Sequence, residues 1–177
     1  SDVCSSDLDA IRKQTIVING VSKTYAMTGW RVGFAVGEPE IISGMAKIIS
    51  QTTSNLTSVS QYAAIEALTG DQSSIEEMRK AFEERLNTIY PLLAEVPGFE
   101  VIKPQGAFYL FPNVKKAMEI KGYTDVNDFT NAILEEAEVA LVTGAGFGAP
   151  ENIRLSYATD LDILKEAVRR IKAFMEK

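Results

Sequence analysis

The sequence contains no histidine among its 177 residues. Without an imidazole, the Ser-His-Asp and Cys-His nucleophile systems and the histidine-containing zinc sites are excluded. The one cysteine, Cys4, permits neither an internal disulfide bond nor a cysteine-based metal cage. No apolar run approaches the roughly 18 residues that a membrane helix needs, and no basic segment followed by an apolar core opens the chain. We therefore expect no metal site, no membrane association and no secretory signal, and a cytoplasmic location.

Basic residues are few relative to acidic ones, since 18 Lys and Arg against 24 Asp and Glu give a net charge of −6 at pH 7. Nothing neutralises phosphate in bulk, which excludes general binding of nucleic acids or anionic membranes. A hydrophobic fraction of 46% is enough for a globular protein to bury a core. Residues 1–8 repeat Ser-Asp without a helix or strand pattern, and we interpret them as a foreign or disordered segment.

Strands and helices mixed along the chain predict an α/β or α+β protein in two lobes. One helix is predicted to begin at Pro39, and the next to run through Tyr62 and Leu68 and to end at Gly70. Further helices are predicted to begin at Ser73, to cover about 125–137, and to form the end of the chain. Strands are predicted at residues 15–18 (buried, and followed by a turn at Asn19-Gly20), 30–36, 99–102, 107–111, 139–142 and 153–157. Pro91 interrupts a helical pattern and predicts a kink or an end near residues 89–90. The expected domains are residues 9–90 and 91–177.

The segment 20–33, with the sequence GVSKTYAMTGWRVG, carries the strongest indication of chemistry. Lys23 follows a predicted strand among small residues, where its amine can reach a ligand, and a neutral lysine amine can form an imine with a carbonyl group. Arg31 lies eight positions on, beside two glycines, and a guanidinium can bind a phosphate through two parallel hydrogen bonds. For an isolated Lys/Arg pair, two solvated surface side chains are the more frequent explanation.

The same segment resembles the pyridoxal-phosphate attachment site of class I/II aminotransferases at every constrained position. The resemblance implies that Lys23 carries the cofactor covalently and moves the substrate α-proton, and that Arg31 binds the cofactor phosphate. Some relatives have a phosphate-binding serine where Gly20 stands here. Ser22, immediately before the lysine, is expected either to bind that phosphate or to cap a turn.

Two further segments extend the resemblance. Residues 104–111, PQGAFYLF, are similar to a strand of the family's small domain, and residues 152–158, NIRLSYA, are similar to its Arg-Leu-Ser segment. In the family, the arginine of that segment binds the substrate α-carboxylate, which implies the same role for Arg154. The loop 144–148, GAGFG, lacks both the P-loop ending and the dinucleotide-binding spacing, so we interpret it as a positioning loop.

The resemblance covers residues 9–177 and corresponds to the C-terminal half of the family's length. It implies the C-terminal part of a fold-type-I pyridoxal-phosphate transferase, with the end of a large mixed-sheet domain and a small α+β domain. The motif is most similar to the prokaryotic aspartate aminotransferases. The expected reaction is amino transfer from an amino acid, L-aspartate above all, to a 2-oxo acid such as 2-oxoglutarate, in a homodimer of which this chain is an incomplete fragment, inactive alone. The alternatives are another fold-type-I enzyme (an aromatic or alanine aminotransferase or a carbon–sulfur lyase) and a non-catalytic stand-alone half-domain.

Overall fold

The computed structural model describes residues 9–177. The chain divides into two compact units, of which the first ends at Glu76 and the second begins at Glu77. The expected division into residues 9–90 and 91–177 stays a prediction. The expected foreign segment, residues 1–8, lies outside the described residues. Among residues 9–177, none of the helices combines the length and the hydropathy that a membrane span requires.

In its described residues, 9–76, the first unit contains a two-stranded antiparallel sheet and three complete helices. Its elements are α1 (Asp9–Arg12), β1 (Val17–Gly20), a 3-10 turn (Thr28–Trp30), β2 (Gly33–Val36), α2 (Pro39–Thr52) and α3 (Ser58–Thr69). The register of the sheet runs from the pair Val17 and Val36 to the pair Gly20 and Gly33. As predicted, Pro39 occupies the first turn of α2, and α3 ends at Gly70, whose N–H donates to the Glu66 carbonyl (2.7 Å).

Three predictions for the strands of this unit are wrong. Asn19 and Gly20 are not a turn but belong to β1, because both pair with residues of β2. The second strand begins at Gly33 rather than at residue 30, because Arg31 has a left-handed backbone (φ 56°) that cannot continue an extended strand. The first strand is not buried either, since the side chain of Ile18 is 76% exposed.

The second unit packs helices around a three-stranded antiparallel sheet of order β3-β5-β4. Helix α4 (Ser73–Ala94) begins in the first unit and continues into the second. The further elements are β3 (Tyr109–Leu110), α5 (Lys115–Lys121), α6 (Val126–Ala137), β4 (Val142–Thr143), a 3-10 turn (Ala145–Phe147), β5 (Ile153–Ser156) and α7 (Leu161–Glu176).

Helix α4 does not end at residues 89–90, because it continues past Pro91 to Ala94. The last turn is held by packing, since the side chains of Ile89 and Leu93 are fully buried in the core of the second unit. Beyond it, the strand predicted at residues 99–102 is wrong. Of those residues, Glu100 forms an isolated bridge with Asn113, while the buried ring of Phe99 turns into the core.

The core of the second unit lies between α6 and α7. The rings of Phe129 and Phe174 are buried with centroids 6.0 Å apart, and Ile133 and Ile171 are fully buried beside them. Each helix is capped by the aspartate that precedes it, Asp125 or Asp160, whose carboxylate accepts backbone N–H bonds, at 2.7 Å from Asn127 for α6. Both helices were predicted from the sequence, at about residues 125–137 and at the end of the chain, but their packing against each other was not.

The exposed side of α7 carries a compact ion network. The carboxylate of Glu166 accepts hydrogen bonds from Arg169 Nε (2.7 Å) and Arg170 Nε (2.9 Å). These hydrogen bonds, with the charges of the two guanidinium groups, lower the pKa of Glu166 from 4.5 to about 2. The carboxylate therefore stays ionised in the folded chain at a pH where it would be protonated in the unfolded chain.

Replacing Glu166 with glutamine is expected to lower the stability of the fold at pH 7 by a small amount, because exposed ion pairs contribute little. The folded pKa lies below the unfolded one, so the contribution is full above about pH 4.5 and is lost as the pH falls towards 2. Urea unfolding of the parent and the variant at pH 7, 4 and 2 measures this difference. The matched control is Glu135→Gln, an exposed position on α6. A difference between parent and variant that does not shrink on acidification would contradict the expectation.

Candidate active site

Lys23 lies in the turn that follows β1, and the base of this turn is fixed by burial. Val21, two residues before it, is fully buried in a small cluster with Val32 and Ala64. Its N–H donates to the Val32 carbonyl (3.3 Å), and the N–H of Ala26 donates to the Lys23 carbonyl (3.2 Å). The side chain of Lys23 itself is exposed. A rigid base therefore carries a lysine that a ligand can reach.

Gly20 allows the close approach of two backbone segments below Lys23. A Cβ atom at this position would lie 2.8 Å from the Val32 carbonyl oxygen, which is closer than real Cβ contacts allow. A serine at position 20 would therefore push this carbonyl away. Ser22, which is half-buried, and Thr24 place their hydroxyl groups on either side of the lysine in the sequence.

Arg31, which lines the same pocket as Lys23, has an unusual backbone conformation. Its φ of 56° is left-handed, which for a residue other than glycine costs of order 1–3 kcal/mol. One guanidinium nitrogen, Nη1, donates to the Thr28 carbonyl at 2.8 Å and anchors the side chain. The other N–H donors make no hydrogen bond within residues 9–177 and stay available for an anion.

Ser22, Lys23 and Arg31 line the same open pocket of about 430 Å³. This volume lies in the range of small-molecule sites, about 300–1,000 Å³. The remaining lining residues are Asn19, Gly20, Thr24, Val32 and Gly33. An amine, a guanidinium and two hydroxyl groups in one pocket suit an anionic ligand that also offers a carbonyl carbon. No group of three potential metal-ligating side chains occurs in the part of the chain that the structure describes.

Arg154 lies in the second unit, on the middle strand β5, where it pairs with Val142 of β4. Its half-buried guanidinium is held by aromatic rings. The Cζ atom lies 4.6 Å from the ring centroid of Tyr109 and 4.7 Å from that of Phe147. Both distances are those of cation–π contacts.

The glycine-rich loop 144–148 places one of these two rings. Gly144 is buried, and its N–H donates to the Asn152 carbonyl at 2.7 Å, which ties the loop to the start of β5. A Cβ atom at Gly144 would collide with the carbonyl oxygens of Ala149 and Asn152, so glycine is required there. The 3-10 turn that follows brings Phe147 against Arg154.

The family model described as aminotransferase class I and II matches residues 5–171. The chain belongs to this family. The match includes the lysine turn, Arg31, the glycine-rich loop and Arg154.

Curated aminotransferases share much of this sequence. The asparagine–oxo-acid transaminase of Streptococcus mutans is 77% identical over 167 residues, which are 94% of this chain and 42% of that protein. The aspartate aminotransferase of Bacillus subtilis is 57% identical over 169 residues, which are 96% of this chain and 43% of that protein. The chain therefore spans less than half the length of these relatives.

Solved aminotransferase structures share the fold. The aspartate aminotransferase from Rhizobium meliloti superimposes with a TM-score of 0.88 at 37% identity, over 99% of this chain and 45% of that one. The aromatic aminotransferase from Pyrococcus horikoshii superimposes with a TM-score of 0.88 at 36% identity, over 97% of this chain and 45% of that one. The predicted fold class, the C-terminal part of a fold-type-I transferase of mixed α/β structure, is confirmed.

The two rings that contact Arg154 in this aminotransferase chain were not predicted as part of the site. Tyr109 lies in the segment 104–111, which resembles a strand of the family's small domain, and Phe147 lies in the glycine-rich loop 144–148. The sheet order β3-β5-β4 brings both segments to the strand of Arg154. No local spacing encodes that order, which is why the pattern of residues did not indicate the contact.

Proposed function

We propose that the polypeptide to which this chain belongs is a pyridoxal-phosphate-dependent aminotransferase that transfers the amino group of L-aspartate to a 2-oxo acid, 2-oxoglutarate above all. The observation that carries the proposal is one pocket lined by the amine of Lys23 and the guanidinium of Arg31. Membership in the aminotransferase family and 57% identity to a relative named aspartate aminotransferase support it.

The residues of the pocket fit pyridoxal phosphate. Lys23 offers an amine to the aldehyde carbon of the cofactor, and Arg31 offers N–H donors to its phosphate, with the Ser22 hydroxyl beside them. When bound, the cofactor supplies an electron sink for the negative charge that develops at the substrate Cα. The donor set of this pocket thus matches the aldehyde and the phosphate of one ligand.

The side chains of this chain have separable tasks in the proposed reaction. Arg31 binds the phosphate and so orients the cofactor. Lys23 would hold the cofactor covalently, and its Nζ atom would take the proton from the substrate Cα and pass it to the carbon that receives the amino group. Arg154 binds the substrate α-carboxylate, a planar anion that matches the fork of a guanidinium. Ser22 contributes a hydroxyl donor on the side of the phosphate.

We further infer that the chain is the C-terminal part of a longer polypeptide that works as a homodimer in the cytoplasm. The coverage of 42% and 43% of the two relatives supports the first point. The exposed apolar side chains of the first unit support it too, because surfaces of this kind normally lie against other protein; they include Ile18, Val36, Ile48, Val59 and Tyr62. The homodimer follows from the family resemblance, and the cytoplasmic location from the composition.

A second amino donor is asparagine. The relative that is 77% identical over 167 residues is named for asparagine rather than for aspartate. The two amino acids differ by an amide in place of a carboxylate at the end of the side chain. They share the α-carboxylate and the α-amine, which are the groups that Arg154 and Lys23 serve in the proposed reaction.

The test is an assay of the complete polypeptide with 2-oxoglutarate and a panel of donors: aspartate, asparagine, alanine and the aromatic amino acids. We expect glutamate and the 2-oxo acid product in equal amounts, with aspartate giving the highest kcat/KM. A higher kcat/KM for asparagine would reassign the donor and leave amino transfer intact. Release of pyruvate and ammonia without an oxo-acid acceptor would identify a lyase and contradict the proposal.

A further inference from the structure

The guanidinium of Arg154 lies against two aromatic rings, unlike the ion-paired arginines of α7. Arg169 and Arg170 donate hydrogen bonds to the carboxylate of Glu166. Arg154 instead lies against the rings of Tyr109 (4.6 Å) and Phe147 (4.7 Å), and within residues 9–177 its guanidinium makes no hydrogen bond or ion pair. The N–H donors of this half-buried guanidinium can therefore bind an anion.

A ring face attracts a cation without taking any of its hydrogens. A carboxylate or carbonyl partner would also hold the side chain, but it would occupy the donors that a ligand needs. The two rings come from separate segments, β3 and the turn after β4, so they restrain the guanidinium independently. Each ring is itself supported: Tyr109 by Phe108 at 4.7 Å and Phe147 by Phe111 at 6.1 Å between centroids.

We propose that Tyr109 and Phe147, the aromatic pair, are positioning residues that fix the guanidinium of Arg154 with all its N–H donors free for the substrate carboxylate. The conformational entropy of this long, flexible side chain is then lost on folding rather than on binding, and binding of the substrate is therefore stronger. This inference rests on the proposed function, because it takes the substrate α-carboxylate as the ligand of Arg154.

The experiment compares Phe147→Leu, Tyr109→Leu and the ring-preserving variants Phe147→Tyr and Tyr109→Phe in the complete polypeptide. The readouts are KM and kcat for aspartate and, without turnover, the dissociation constant of succinate by titration calorimetry. Loss of one ring is expected to raise KM and the dissociation constant about fivefold, the size of one cation–π contact, with kcat changed less than about twofold. The ring-preserving variants are expected to restore both constants.

Two controls separate positioning from folding and from the proposed function. Tyr123→Leu removes a ring that packs against Phe129 at 5.7 Å, and it is expected to lower stability with KM unchanged. Arg154→Lys tests the carboxylate site itself. If it raises both constants while the leucine variants leave them unchanged, the role of the aromatic pair is wrong and the proposed function stands. If Arg154→Lys changes neither constant, the assignment of Arg154 fails and takes the inference with it.

Discussion

Replacing Lys23 with alanine is expected to lower kcat for amino transfer by the complete polypeptide at least about a thousandfold. Lys23 provides the one amine in the described lining of the pocket, so no neighbour can replace it as the attachment point or as the carrier of the α-proton. Arginine at the same position keeps the positive charge but stays protonated, and Lys23→Arg is therefore expected to be as inactive.

The measurement is kcat with saturating aspartate and 2-oxoglutarate, and the matched control is Lys47→Ala on the exposed surface of α2. In the parent protein, borohydride reduction followed by peptide mapping should find the mass of pyridoxal phosphate on the peptide that contains Lys23. If Lys23→Ala keeps more than about a tenth of the parental kcat, or if the added mass lies on another lysine, the proposed role of this residue is wrong.

Replacing Phe129 with alanine is expected to destabilise the second unit by about 3–5 kcal/mol. The ring is fully buried and contacts Tyr123 on one side and Phe174 on the other, so its removal leaves a cavity between α6 and α7. A loss of this size is a large part of the total stability of a domain, about 5–15 kcal/mol.

Urea unfolding followed by circular dichroism measures the effect in the 177-residue chain. Leu134→Ala on the same helix is the control, because Leu134 is 49% exposed and its truncation should cost far less. Equal shifts of the unfolding midpoint for the two variants would show that the core does not depend on Phe129.

Helices could be predicted from the sequence because their signals are local. The apolar spacing of α7, Pro39 at the start of α2 and Gly70 at the end of α3 each act within a few residues. The strands could not be bounded in this way. The left-handed backbone at Arg31 and the isolated bridge of Glu100 depend on where the rest of the chain lies, and periodicity carries no such information.

The residues of the candidate site also differ in how far local sequence could predict them. Ser22, Lys23 and Arg31 lie within ten residues of one another, and the segment that contains them also brings their side chains to one pocket. The surroundings of Arg154 are assembled from residues nearly forty positions apart in the chain, Tyr109 and Phe147, through the order of a sheet. Local sequence predicts the first kind of site and misses the second.

The burial of Ala64 against Val21 limits which substitutions the sequence can accept during evolution. Ala64 belongs to α3, about forty residues after Lys23, yet it packs beneath the turn that carries this lysine. The space there admits a methyl group, so a bulkier side chain at position 64 would displace the turn while every reactive group stayed chemically intact. Inactive natural variants should therefore arise on this helix as well as in the lysine segment, and inspection of the reactive groups alone would not reveal them.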